Sequence, residues 1–116
     1  MSESSGGFIV SLSDRREPER IAFTRTELQQ ILAVYGRKVA AGEWRDYAME
    51  FGAETAVFAV FRRSSEVPLY RIEKTPKLAN RQGAYAVVAA AGYILKRGSD
   101  LSRVLMALEK PSRVSG

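Results

Sequence analysis

The sequence predicts an α+β fold with two layers, in which an antiparallel sheet of about five strands is flanked by an N-terminal and a C-terminal helix. Three observations predict it. A complete helix-start signal occupies residues 23–28, several segments between residues 44 and 97 have strand patterns, and a second helical pattern follows Asp100. Because antiparallel sheets commonly carry their helices on one face, we expect both helices there.

The first helix has a full set of start and stop signals. Thr24 is the predicted N-cap, Glu27 closes a capping box, and Phe23 packs against Leu28 as a hydrophobic staple. Gly42 supplies the stop. The predicted buried face consists of Leu28, Ile31, Leu32, Tyr35 and Val39.

The strands are predicted from alternation and from β-branched or aromatic content. Residues 44–51 and 69–74 alternate, and residues 55–61 are apolar on both faces, as in a central strand. Residues 84–91 and 93–97 are interpreted as two strands joined at a glycine, although the alanines there also suit a helix. The last helix opens at residues 98–100, and its predicted buried stripe is Leu101, Val104, Leu105 and Leu108.

The length and composition fit one hydrophobic core. The chain has 116 residues, of which 46% are apolar and 27% charged, as in ordinary globular proteins. We predict a flexible N-terminal arm at residues 1–20, a single α+β domain at residues 21–110 and a loose tail at residues 111–116. Within the arm, Phe8–Val10 is a candidate edge strand, but a disordered terminus is the favoured interpretation.

The chain contains no cysteine and no histidine. Disulfide frameworks and zinc ribbons are therefore excluded, and so are the commonest general base and transition-metal ligand. No secretion signal is recognisable, and the longest nearly apolar run, residues 84–95, is too short to span a bilayer. We expect a cytoplasmic protein with no membrane segment, no metal and no cofactor.

Motifs of catalysis are absent from the sequence. Glycine-rich phosphate loops, nucleophile elbows and metal-ligand spacings do not occur. Glu43 and Asp46 form a carboxylate pair, but surface positions beside Arg45 explain them more simply. We therefore expect that the protein is not an enzyme.

Positive charge is concentrated in one part of the chain. The net charge is +5, and residues 62–97 hold eight basic and two acidic side chains, whereas residues 1–61 hold seven and nine. Alternate strand ends of an antiparallel meander meet at one edge, where the last helix also begins. The predicted phosphate-binding rim consists of Lys74, Lys77, Arg81, Lys96, Arg97 and Ser99.

Aromatic residues also occur along the predicted strands. Tyr70 and Tyr93 are the candidates for stacking on single-stranded bases, since aromatic side chains on a basic sheet serve that purpose in several folds. Burial in the core is the more common fate of strand aromatics. The single tryptophan, Trp44, is expected to be buried, with an exposed partner contact as the alternative.

Two long segments carry a family resemblance. Residues 34–48 (VYGRKVAAGEWRDYA) and 67–98 (VPLYRIEKTPKLANRQGAYAVVAAAGYILKRG) resemble a family of short alphaproteobacterial proteins catalogued as a domain of unknown function. With the FRRSSE segment between them, the resemblance covers roughly residues 21–110. It implies a bacterial, cytosolic origin and no known activity. The topology is also similar to the single-strand-binding repeats of the Pur-alpha type, without a shared motif.

Two functions remain open at this point. The first is a non-enzymatic module that binds single-stranded DNA or RNA through the basic rim, with salt-sensitive affinity. The second is a protein-interaction or regulatory adaptor, which uses a strand edge or an apolar patch around Trp44 and is compatible with a homodimer.

Overall fold

The computed structural model describes residues 19–63 and 67–109. In chain order the elements are α1 (Arg25–Ala40), β1 (Asp46–Phe51), β2 (Ala56–Phe61), β3 (Tyr70–Lys74), a 3₁₀ turn (Pro76–Leu78), β4 (Tyr85–Ala89), β5 (Ile94–Gly98) and α2 (Leu101–Glu109). The strands form one antiparallel sheet in sequence order, with β1 and β5 at its edges. The predicted fold class is confirmed.

Parts of the domain prediction lie outside the described residues. These are the first eighteen residues of the predicted arm, with its candidate strand at Phe8–Val10, and the predicted tail at residues 111–116.

Helix α1 begins where the capping signals predict. The Thr24 hydroxyl accepts the Glu27 N–H at 3.1 Å, and the Glu27 carboxylate accepts the Thr24 N–H at 2.7 Å. The helix ends at Ala40, and Gly42 follows with φ of +78°, a conformation that glycine adopts without steric cost.

The buried face of α1 differs from the predicted one. Ile31 and Val34 are buried against the sheet, whereas Leu32 and Val39 are each 41% exposed. The apolar residues of α1 span more of the helix circumference than the sheet covers. Helical spacing places Leu32 and Val39 on the same side of α1 as Tyr35, whose ring contacts Tyr47 of the edge strand β1, so they are left at the surface.

The core lies between the sheet and both helices. The register places Phe58 of β2, Ile72 of β3 and Val87 of β4 side by side on the helix face, and all three are fully buried. Trp44 is buried beneath α1, as expected, with its ring centroid 6.1 Å from that of Tyr35. Central strands that are apolar on this face account for the layered packing.

Helix α2 covers the other half of the same face. It packs on β4 and β5, and its four predicted core residues, Leu101, Val104, Leu105 and Leu108, are all buried. The two helices touch, and Arg37 of α1 pairs with Glu109 of α2. Residues 85–89 and 94–98 are strands, so the helical alternative for the alanine-rich segment is wrong.

One backbone contact closes the end of the sheet below α2. Gly83 has a φ of +102°, and a Cβ added there would lie 2.3–2.6 Å from the backbone of Gly98. Gly92, in the β4–β5 turn, has a similar φ of +99° but nothing within 4 Å of an added Cβ. A side chain at Gly92 would meet only the unfavourable φ, whereas a side chain at Gly83 would meet both the unfavourable φ and a steric clash. Comparing substitutions at the two positions therefore measures the clash by itself.

Gly83→Ala is expected to destabilise the protein by about 3–5 kcal/mol, because the new methyl group meets the Gly98 backbone in addition to the unfavourable φ. Gly92→Ala is the matched control and should cost only the strain, about 1–2 kcal/mol. Urea unfolding of both variants measures the difference. Equal losses of unfolding free energy in the two variants would show that the contact with the Gly98 backbone adds no cost at position 83.

Candidate interaction surfaces

Most of the predicted rim lies at one end of the sheet. Lys74 ends β3, Lys77 and Arg81 lie in the β3–β4 connection, and Ser99 follows β5. Lys96 and Arg97 lie within β5 and point to opposite faces of the sheet, since they are consecutive. The six residues are therefore not one surface.

Lys74 belongs to a buried polar network instead of a ligand surface. Its Nζ donates to the Glu27 carboxylate at 2.9 Å and to the Ala22 carbonyl at 2.8 Å, and its side chain is 15% exposed. The Tyr85 hydroxyl donates to the second oxygen of Glu27 at 2.5 Å. The prediction that Lys74 faces a phosphate conflicts with this geometry, because its charge is already neutralised by Glu27.

The network shifts the ionisation of both acidic members. Burial alone raises the pKa of the Glu27 carboxyl, but hydrogen bonds from Tyr85 and Lys74 outweigh it, so the pKa lies below its ordinary value. Burial and the hydrogen bond to Glu27 raise the pKa of Tyr85 to about 12. Glu27 is therefore charged and Tyr85 neutral at pH 7, which is the pairing that the hydrogen bonds require.

Two further parts of the predicted rim are already in contact with carboxylates of the same chain. Lys77 Nζ lies 2.5 Å from the Glu54 carboxylate. At the start of α2, the Asp100 carboxylate accepts the Ser102 N–H at 3.1 Å and its hydroxyl at 2.8 Å. These bonds to Ser102 hold the pKa of Asp100 below its ordinary value. A carboxylate therefore already caps this helix N-terminus, which weakens its attraction for a second anion.

The remaining predicted cations are differently placed. Arg97 donates to the Gly83 carbonyl at 3.3 Å. The side chains of Arg81 and Lys96 are exposed and have no hydrogen-bond or ion-pair partner among the described residues. Lys96 lines an open groove of about 490 Å³ between β5 and α2, together with Leu95, Arg103, Met106 and Ala107.

The stacking candidates do not form a platform. Tyr70 is half-buried on the helix face, with its ring centroid 6.3 Å from that of Trp44, so it presents no open ring face to a base. Tyr93 is 69% exposed but lies in the β4–β5 turn. Among the described strand aromatics, the register places only Phe61 on the face away from the helices. Stacking of bases across the sheet therefore lacks the surface it needs.

The neighbourhood of Trp44 and the carboxylate pair offer no site. Trp44 is 3% exposed, so it is unavailable for docking. Glu43 lies 3.3 Å from Lys38, and Asp46 accepts the N–H of Tyr47 at 2.8 Å. Among residues 19–63 and 67–109, no group of three or more acidic side chains is arranged to hold a metal ion. Neither helix in this part of the chain has the length and hydropathy that a membrane span requires.

An apolar surface that the sequence patterns do not reveal lies on the β1 side of the molecule. We call it the β1 strip, and its members are Leu32, Val39, Tyr47, Met49 and Phe51, each about 40% exposed. The rings of Tyr35 and Tyr47 lie 5.1 Å apart and connect the α1 and β1 parts of the strip. The alternation in residues 46–51 does predict an apolar face of this strand. That face is exposed because β1 lies at the edge of the sheet.

Exposed apolar residues also flank β5. Tyr93, Ile94, Leu95 and Met106 are 46–69% exposed. Lys96 and Arg103 lie beside them, so this second surface is mixed apolar and basic.

The fold and its surfaces define the chain as an α+β module in which, among residues 19–63 and 67–109, no strand pairs with the outer sides of β1 and β5. The family model described as Protein of unknown function (DUF2794) matches residues 21–105, and the chain belongs to that family. The predicted membership in a family of unknown function is confirmed. No curated protein and no solved structure matches the chain significantly.

Glu27→Gln is expected to lower the free energy of unfolding by about 2–3 kcal/mol at pH 7, because Lys74 then lies buried opposite a neutral group. The folded pKa of Glu27 is below its unfolded value. Its contribution is therefore present above about pH 5 and is lost as the pH falls through the folded pKa. Urea unfolding at several pH values should show the two proteins converging in acid.

Glu54→Gln is the matched control for that measurement. Its partner Lys77 and Glu54 itself are both more than half exposed, so the loss should stay below about 0.5 kcal/mol. A Glu27→Gln effect as small as that of the control, or one that grows in acid, would contradict the role assigned to the network.

Proposed function

We propose that the protein is a non-enzymatic protein-interaction module that binds its partner through the β1 strip. The observation that carries the proposal is the edge strand β1, whose outer side pairs with no strand among the described residues and whose exposed apolar side chains meet those of α1 at Tyr35 and Tyr47. Contiguous apolar surface with an open strand edge is typical of sites at which proteins pair.

The ion pairs of the molecule favour protein interaction over anion binding at the predicted basic rim. Lys74 is neutralised by Glu27, and Lys77 is paired with Glu54. By contrast, the side chains of Met49 and Phe51 remain 39% and 40% exposed to water. Burial of such side chains at an interface removes apolar surface from water, which favours association.

Site-specific photo-crosslinking tests the proposal. A benzophenone amino acid in place of Phe51, in cells that express the protein, should give a discrete protein adduct. The same residue in place of Arg81, which is exposed in the β3–β4 connection, should not. Absence of a protein adduct from position 51, or equal adducts from both positions, would overturn the proposal.

Binding of single-stranded nucleic acid is the second candidate function. It is supported by Arg81 and Lys96, whose side chains are exposed without a partner in the described part of the chain, and by the basic excess of residues 62–97. Electrostatic attraction to phosphate needs no stacking platform.

Fluorescence anisotropy of labelled single-stranded DNA and RNA, measured at several salt concentrations, tests the second candidate. It predicts affinity that falls steeply with salt, and a salt slope that drops by about one for each of Arg81→Glu and Lys96→Glu. Lys77→Glu is the matched control, because Lys77 is already paired with Glu54. No binding at low salt would remove this candidate.

A further inference from the structure

We propose that the partner at the β1 strip is a second copy of this chain, paired antiparallel through β1 about a two-fold axis at Met49. This inference rests on the proposed function and names its partner. Three features of β1 support it: the direction of its backbone groups, its contrast with β5, and the self-complementarity of residues 47–51.

The backbone groups of β1 are oriented for pairing. Thr75 N–H donates to the Ala84 carbonyl, which fixes the hydrogen-bonding phase of the β3–β4 ladder. In an antiparallel sheet, alternate residues of a strand form hydrogen bonds to opposite neighbours. The registers of β3 with β2 and of β2 with β1 therefore determine which β1 residues bond to β2. The N–H and C=O groups of the other β1 residues point away from the sheet. These residues are Tyr47, Met49 and Phe51.

The β1 edge lacks the protective features of the β5 edge. Strand β5 has a bulge at Leu95, where the register shifts, and carries Lys96 and Arg97. Bulges and basic side chains are the usual means of preventing edge pairing. Strand β1 pairs with β2 without a shift over its whole length, and its sequence DYAMEF contains no basic residue.

Parity limits the possible axes, and charge excludes those at Ala48 and Glu50, the two neighbours of Met49. Directly opposed residues of antiparallel strands point to the same face of the sheet. In a pair of identical strands, two opposed residues therefore differ by an even number of positions. The two-fold axis between the strands must then pass through a residue and not between two residues. An axis at Ala48 would place Asp46 opposite Glu50 of the second copy, twice, and an axis at Glu50 would oppose that residue to itself. Like charges in such positions destabilise the pair.

An axis at Met49 avoids both conflicts. Tyr47 then lies opposite Phe51 of the second copy, Met49 opposite its own equivalent, and Glu50 opposite Ala48. The three apolar residues on the helix face of β1 therefore pair with apolar residues of the second copy. Ile21 donates to the Gly52 carbonyl at 2.7 Å, so the intermolecular ladder ends at Phe51.

The same axis brings the α1 parts of the two strips together. Because it runs perpendicular to the sheet, both helix layers lie on the same side of the joined ten-stranded sheet. Leu32 and Val39 then flank the joint from each copy, above the β1 side chains. One isologous contact thus covers the whole β1 strip.

Cysteine crosslinking tests the register directly, since the natural chain has no cysteine. In the proposed dimer, the two Cα atoms at position 49 lie about 5.5 Å apart, which suits a disulfide. Those at position 48 lie on a diagonal, at about 7–8 Å, which does not. Under mild oxidation, Met49→Cys should crosslink and Ala48→Cys should not; the reverse would show the Ala48 axis and overturn the proposal.

Light scattering after size exclusion supplies the second measurement. The unmodified chain should have the mass of a dimer, and Met49→Glu should weaken dimerisation by at least about tenfold, since two carboxylates would oppose each other. Met106→Glu, at a 60% exposed methionine on α2, is the matched control and should leave the dimer intact.

The outcomes separate this inference from the proposed function. A monomeric mass with no Met49→Cys crosslink would overturn the second copy as partner. If the photo-crosslinker at position 51 still captured another protein, the interaction function would stand without self-pairing. If it captured none, both would fall.

Discussion

The attachment of α1 to the sheet depends on one buried carboxylate. Glu27 caps its own helix through Thr24 and accepts hydrogen bonds from Lys74 of β3 and Tyr85 of β4. A charge at this depth is tolerated because each of its partners neutralises or solvates it. The network fixes the N-terminal end of α1 over the middle strands, from which the helix runs toward Trp44 and Tyr47 near β1.

That attachment has consequences for function. It withdraws Lys74 from the basic end of the sheet, and Glu54 and Asp100 further reduce the positive potential there. It also sets the position of α1 on the sheet, which leaves the apolar side chains of β1 partly uncovered. The same geometry that weakens an anion site therefore creates an apolar surface along a free strand edge.

Much of the fold could be predicted from local patterns. The capping box at Thr24, the alternation of β1 and β3, the doubly apolar β2 and the stripe of α2 each follow from short-range physical chemistry, and all are observed. The candidate site was predicted less well. Lys77, Arg81 and Ser99 do lie at one end of the sheet, but charge patterning does not reveal that Glu54 pairs with Lys77, or that Tyr70 packs toward Trp44.

The identity and order of the elements were thus encoded locally, because capping, periodicity and turn residues act over a few positions. Which cations remain free and which apolar residues stay exposed depends on contacts between residues distant in sequence, such as Glu27 with Lys74. Leu32 and Met49 have the apolar character of core residues. They lie at the surface because α1 and β1 meet at the margin of the sheet, and no local pattern records where a sheet ends.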